Sequence, residues 1–351
     1  MISRGTCLAA LSVLVVLLGC RDRPIQTPTG SAADAFHEVS RVALDTTMDA
    51  TIGRINDVLF LEDQILVAEG MSHRILAFST DGRFSGAVGR RGAGPGEFRS
   101  PHSLVVDHDG TIIVADVSDD LTRLTPDLEL VDVYATDVPI YVGDLVKVGN
   151  GIVLFQPSNQ ERGNNFVVWD SEVGSGASFD PRNELVLTVP LWSTAWTSFL
   201  VMGSEHLYVA DNMVYPIRRY TLDHQFVDTV GVSPPSWRQA AQPTLGEFTT
   251  RTGRQLSARE WLRAFTRIDG LFAVGDDWLV VTHRDPVTQY PSDDLLRADI
   301  YHLESGFQKV WEDIPLPGPI VEGGSCARIV VARPPKPWTL ACWSPRLPPA
   351  E

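Results

Sequence analysis

A short apolar run recurs along the chain and ends each time in a small, polar or acidic residue. It appears as Ile65-Leu-Val-Ala-Glu69, Ile112-Ile-Val-Ala-Asp116, Ile152-Val-Leu-Phe-Gln156 and Leu207-Tyr-Val-Ala-Asp211. Two further copies are Trp278-Leu-Val-Val-Thr282 and Trp338-Thr-Leu-Ala-Cys342. Successive copies start 47, 40, 55, 71 and 60 residues apart. The shortest steps have the length of a four-stranded propeller blade, and the longer ones leave room for loop insertions. Several copies lead into an alternating strand, as in Arg74-Ile-Leu-Ala-Phe78 or Ile217-Arg-Arg-Tyr220. A turn follows, such as Thr80-Asp-Gly-Arg83, in which Asp bonds local backbone and Gly supplies a positive φ. Six such units predict an all-β fold, a six-bladed β-propeller of four-stranded blades, because a closed ring leaves no exposed sheet edge. His37 to Leu44 alternates like a strand and is expected to complete the last blade, tying the termini together. Helical spacing is confined to Trp261, Leu262, Phe265 and Ile268, opened by the capping-box pattern Ser257-Ala-Arg-Glu260. This predicts a short helical insertion between blades four and five.

Composition supports a folded chain and limits its partners. Of 351 residues 44% are hydrophobic, which excludes wholesale disorder. Lys+Arg number 29 against Asp+Glu 44, and a formal net charge of −15 repels phosphate backbones, so no nucleic-acid partner is expected. At the N-terminus Arg4 precedes an apolar stretch from Cys7 to Leu18, too short to span a bilayer and ending in Leu17-Leu-Gly-Cys20. This resembles a bacterial lipobox. The resemblance implies a signal peptide over residues 1–19, lipidation of Cys20 and a lipid-anchored protein of the cell envelope. Arg21 rather than Asp after the cysteine implies the outer membrane, on its periplasmic or surface side. Residues 20–36, with Pro24, Pro28 and Ser31, read as the lipidated cysteine and a flexible tether, leaving 37–351 for the propeller.

Val88-Gly-Arg-Arg-Gly-Ala-Gly-Pro-Gly-Glu-Phe98, Pro101-His-Ser-Leu-Val-Val-Asp-His-Asp-Gly110 and Ile113-Val-Ala-Asp116 resemble NHL repeats, and the group they resemble is the six-bladed propeller lipoproteins of NHL/TolB-like type. The likeness covers about residues 54–135 and 200–232 and specifies fold more than activity. Such propellers include ligand-binding scaffolds, metal-dependent lactonases and a zinc-dependent amidating lyase. Pro101-His102-Ser-Leu resembles the setting of a zinc histidine in that lyase. His102 stands 14 residues before Asp116, and the same offset gives Ile55, Val142, Thr197, Ile268 and Arg328 in the other units. One histidine does not make a zinc site, which needs about three protein ligands. No metal and no cofactor are therefore expected.

The same ring sets His102, Tyr141 and Arg328 at the channel mouth, flanked by Arg54, Arg267 and Asp269. Such an Arg/His mouth on an acidic protein can hold a small anion by charge-assisted bonds. Glu69, Asp116 and Asp211 repeat at one blade position, which points to a structural task such as bonding the next turn. Glu69, Asp211 and Asn212 could also be assembled into a lactonase-like set. Asp107-His-Asp-Gly110 reads as a hairpin turn rather than a calcium loop, and no Gly-x-Ser-x-Gly elbow is present. Cys326 and Cys342 flank a turn holding Pro334, Pro335 and Pro337, and Pro334 lies midway. An oxidising compartment permits a disulfide between them, and a one-residue register error would misalign it. The reading that results is a non-enzymatic binding or scaffold module for an envelope protein or a small ligand. The alternative is a metal-dependent hydrolase or lyase using the channel near His102.

Overall fold

The computed structural model describes residues 27–46, 48–117, 120–135, 145–148, 152–155, 164–170, 174–181, 198–239, 265–286, 296–333 and 336–349. These form six antiparallel sheets of four strands. Sheet one comprises Ile55–Phe60, Gln64–Glu69, Arg74–Ser79 and Phe84–Val88, and sheet two Pro101–Val106, Ile112–Asp116, Asp120–Leu124 and Leu130–Ala135. Sheet three holds Val146–Val148, Ile152–Phe155, Asn164–Asp170 and Gly174–Pro181, and sheet four Ser198–Met202, His206–Asp211, Val214–Thr221 and Phe226–Val230. Sheet five is Arg267–Val274, Trp278–Arg284, Leu296–His302 and Gln308–Pro315. Sheet six is Ile320–Glu322, Ala327–Ala332 and Thr339–Pro345, completed on its outer side by Phe36–Ala43. The N-terminal strand thus pairs with the C-terminal one, Arg41 opposite Ala341, and closes the chain.

The apolar runs are explained by what each second strand touches. Successive side chains of a strand point to opposite faces. Ile65 and Val67 pack towards sheet six, against Val330, Trp338 and Leu340. Leu66 and Ala68 pack the other way, against Leu104, Ile112 and Val114 of sheet two. Similar apolar clusters join sheets two and three around Ile113 and Trp169, and sheets three and four around Phe166 and Leu207. Leu279 and Val281 face Tyr208 and Ile217 of sheet four, whereas Val280 faces Ile329 of sheet six. A strand sandwiched between two neighbours has no polar face, so the period-two alternation disappears from the sequence. The chain is a β-propeller.

The first strands surround the axis and run alike, so their N-terminal ends form an upper face and their C-terminal ends a lower face. Between sheets five and six the approach is backbone to backbone: Gly275 N–H donates to Gly324 O (2.6 Å) and Gly324 N–H to Ala273 O (3.0 Å). Gly323 is required there, because a Cβ would stand 2.4 Å from Ala273 O, and Gly324 has a φ of +95°.

Three expectations are corrected. Trp338–Cys342, counted as the sixth copy of the apolar run, leads into and forms the third strand of sheet six, whereas the copies in the other sheets are second strands, because the N-terminal strand takes the outer place. The second strand is Ala327–Ala332, and the phase of the last repeat shifts accordingly. Among the described residues no helix lies between sheets four and five. Ile268, read as the end of a helical stripe, is a strand residue paired with His283, while residues 240–264 lie outside the described residues. Of residues 20–36, expected as a tether, the segment from Pro28 onward is docked on the propeller. Glu312 N–H donates to Pro28 O (3.0 Å), Ala32–Ala35 form a helical turn capped by Asp34 on Ser31, and Ala35 is buried against sheets five and six. Cys20 lies outside the described residues.

Cys326 and Cys342 are joined as a disulfide, with Cα atoms 5.6 Å apart. They are not directly opposite, since Cys342 pairs with Arg328, and the bond runs diagonally across the two strands. A link closing 16 residues restricts the unfolded chain. Reduction, or replacement of both cysteines by Ala, is expected to cost about 2–3 kcal/mol. Thermal melts with and without reductant check this, and the double variant should have lost its sensitivity to reductant.

Candidate functional site at the upper face

The loops of the upper face are held by buried carboxylates. Glu69, at the end of the second strand of sheet one, accepts N–H bonds from Gly53 (3.0 Å), Arg54 (2.7 Å) and Met71 (3.1 Å), and both N–H and O–H from Ser72. Burial raises the pKa of such a group. Here the bonds from Ser72, then Arg54 and Met71, outweigh it and hold the carboxyl below its ordinary value. Asp116 clamps the corresponding loop of sheet two, accepting from Arg99 N (2.9 Å) and Ser100 N (2.5 Å). Each clamp fixes the two residues that lead into an innermost strand. Asp211 is engaged differently, by Ser198 Oγ (2.7 Å) and by Arg218, which also grips Asp180. Glu69 and Asp211 stand in sheets one and four, both fully engaged, so the lactonase-like set with Asn212 does not assemble.

The innermost strands of sheets one, two, five and six share a β-bulge, and the extra residues are Asn56, His102, Asp269 and Val321. These are the true equivalents of His102. The offset of 14 residues missed them by one position in sheets one and five, and by a whole strand in sheet six. They do not make a metal-binding set: Asn56 donates to Pro101 O (2.6 Å) and Asp269 pairs with Arg284 (2.8 Å).

The predicted mouth is therefore divided. Arg54, His102 and Arg267 lie at the upper ends of innermost strands. Arg328 lies on the second strand of sheet six at the lower end, beside Glu322. Tyr141, Val142 and Thr197 lie outside the described residues.

Arg54 is the best placed of these groups. Its N–H is fixed by Glu69, and its side chain crosses Gly70 to reach Ser100 Oγ (3.4 Å). A Cβ on Gly70 would stand 2.5 Å from the Arg54 Nη2 atom and closer still to Asn56 Nδ2, so a larger residue there would push both side chains aside. Arg54 forms no ion pair with a described residue, although acidic groups outnumber basic ones in the chain. It borders a cleft of about 450 Å³ between sheets six and one. Pro317, Pro319, Val321, Val331 and Trp338 form its apolar wall, and Arg333 stands at its rim. The Trp338 indole N–H is bonded to Ile52 O (3.0 Å), so the ring offers the cleft an apolar surface. Sequence reasoning singled out Arg54 but missed Arg333 and Trp338, because the cleft joins the first sheet to the last across the closure of the ring.

A second, shallower cavity of about 590 Å³ opens at the lower face, lined by Val105, Val146, Lys147, Val201, Phe272 and Glu322. Glu322 accepts from Phe60 N (3.1 Å), and its other oxygen stands 3.8 Å from Arg328 Nε. The Arg328 guanidinium lies 3.9 Å from the Phe60 ring centroid. Burial dominates at this pair, pushing Glu322 up to about 7 and Arg328 down, with the mutual attraction too weak to reverse either shift.

The comparisons with known proteins agree with the architecture. Residues 25–186 match a family profile described as a domain of unknown function, DUF4934. No curated protein matches the chain. Among solved structures it is similar to a Bacteroides fragilis protein described as exported, with a TM-score of 0.64 at 12% identity, covering 92% of this chain and 98% of that one. It is also similar to a member of the DUF4221 family from Bacteroides vulgatus, with a TM-score of 0.54 at 10% identity, covering 90% and 99%. A third similar structure is the Pan2 WD40 domain of Neurospora crassa, with a TM-score of 0.50 at 11% identity, covering 86% and 81%. At these identities the likeness shows the fold alone.

Glu322 gives a pH signature. Its folded pKa of about 7 lies above its ordinary 4.5, so the folded state prefers the protonated group. Nothing is lost below about pH 4.5. Stability then falls as pH rises towards 7, where the charge must be carried in a buried position. Glu322→Gln is expected to match the parent near pH 4.5 and to exceed it by about 1–3 kcal/mol at pH 8, measured by denaturant melts at both pH values.

Proposed function

We propose that this chain is an envelope-anchored, six-bladed binding module of NHL/TolB-like type, without catalytic activity of its own, that takes a small anionic ligand with an apolar body in the cleft between the last and first sheets. The observation that carries the reading is Arg54: a cation without a carboxylate partner among the described residues, its backbone fixed by Glu69 and its side chain at the edge of an apolar cleft. A guanidinium presents paired N–H donors that match a carboxylate or phosphate. The Trp338 ring and the proline and valine wall cover the rest of the ligand, in the usual form of a small-molecule site. Arg333 at the rim adds a second positive charge.

Two observations support the location. Leu17-Leu-Gly-Cys20 has the form of a lipobox, and a structural neighbour is described as exported. In this reading Cys20 carries the lipid in the outer membrane. Chain geometry then keeps the propeller near the bilayer: from Cys20 to the bonded Pro28, eight steps span at most about 30 Å. Cys20→Ala is expected to release the protein from the membrane fraction and abolish labelling by a fatty-acid analogue.

The binding reading is tested by calorimetry against a panel of aromatic and aliphatic carboxylates and phosphate monoesters. At least one class should bind, and Arg54→Gln should weaken it about tenfold or more, as expected for a lost charged hydrogen bond, with the melting temperature unchanged. Gly70→Ala should act in the same direction by displacing the arginine. Binding insensitive to both substitutions would place the ligand elsewhere, and no binding by any class would sink the proposal.

A further inference from the structure

A second polar centre lies in sheet five, apart from the cleft. His283, near the end of the second strand between Thr282 and Arg284, is completely buried, and neither ring nitrogen has a hydrogen-bond partner. Its Nε2 stands 3.6 Å from Asp299 Oδ1 and 3.9 Å from Asp313 Oδ1, beyond hydrogen-bond length. Asp285 and Asp313 each keep one buried oxygen, Oδ1, without a partner. A nitrogen of His283 and one oxygen each of Asp285 and Asp313 lie within 4.8 Å of one another.

The charges around this point do not balance. Among the described residues, the Lys and Arg side chains that pair with Asp285, Asp299, Glu312 and Asp313 are Arg297 and Lys309. Arg297 pairs with Asp285 (2.8 Å) and more distantly with Asp313 (3.4 Å), and Lys309 is shared by Asp299 (3.0 Å) and Glu312 (2.8 Å). Asp299 is further satisfied by Tyr215 O–H (3.1 Å) and Asp313 N–H (2.9 Å). The unsatisfied capacity is thus gathered on His283, Asp285 and Asp313, where two carboxylates share one guanidinium and each keeps an oxygen without a partner. Leaving charges and polar atoms buried in this state is costly.

We infer that His283, Asp285 and Asp313 form a binding site for a divalent transition-metal cation of the zinc class. One imidazole nitrogen and two carboxylate oxygens are a donor set suited to such ions. Metal–ligand distances of about 2.0–2.2 Å bring tetrahedral ligands to about 3.4 Å from each other, so small side-chain rotations close the site. Arg297 contacts both carboxylates through their other oxygens and holds them in place. Three protein ligands leave a fourth position to water, unlike a closed structural site.

The test uses the purified protein, stripped with a chelator and dialysed. Calorimetric titration with Zn²⁺ is expected to show one equivalent bound, and Co²⁺ to produce visible absorption of a low-symmetry site. Asp285→Asn and Asp313→Asn should each weaken Zn²⁺ binding by more than about tenfold and remove the Co²⁺ bands. Both residues are partly exposed, so these variants stay folded more readily than His283→Gln, and circular dichroism verifies it. Arg54→Gln should leave metal binding unchanged, which separates this site from the anion cleft. Absence of binding by the parent protein, or equal binding by the parent and both Asp variants, overturns the inference.

Discussion

The structure depends on how the innermost strands satisfy their free edges. Each has a hydrogen-bonded neighbour on one side only, and the backbone N–H groups on the other side face the next sheet. Side chains on those same strands supply acceptors: Asp57 accepts from Leu104 N (2.7 Å), Ser103 from Leu145 N (2.8 Å) and Glu322 from Phe60 N (3.1 Å). These bonds join sheet one to two, two to three and six to one. The bulges at Asn56, His102 and Val321 immediately precede Asp57, Ser103 and Glu322. A bulge turns the strand enough to aim the next acceptor at the neighbouring edge.

From this follows the division between structural and ligand-facing polar groups. Carboxylates that hold backbone, Glu69 and Asp116, stand at one repeat position in sheets one and two and hold the same turn in each. Groups outside the repeat line the two candidate sites. Arg54 and Arg333 gather where the first sheet meets the last, and His283 with its aspartates gathers in sheet five alone. Asp299 stands among Ala298, Ile300 and Tyr301, a charge inside an apolar strand, which was a legible sign that something polar would be buried there.

The closure of the ring also explains the tryptophans. Trp338 and Trp311 each bury a ring and spend the indole N–H on a backbone carbonyl, Ile52 O and Arg346 O. The first bond ties residues 286 apart across the seam between the chain's ends, and the second ties sheet five to the end of sheet six. The Cys326–Cys342 bond and the docked segment from Pro28 to Ala35 strengthen the same region.

The sequence by itself determined the strand type, the repeat and the strand from His37 that completes the last sheet, because burial between two neighbours leaves an apolar run that needs no partner to be recognised. It also marked Glu69 and Asp116 as structural and Arg54 as a candidate ligand contact. The tertiary structure alone decided the phase of the last unit, the pairing of Arg328 with Glu322 at the lower face, and the meeting of His283, Asp285 and Asp313. The physical reason is the length scale of each. Alternation and turn chemistry act over a few residues, whereas bulges shift register by one position and ring closure joins groups more than 250 residues apart, as in Phe60 and Glu322.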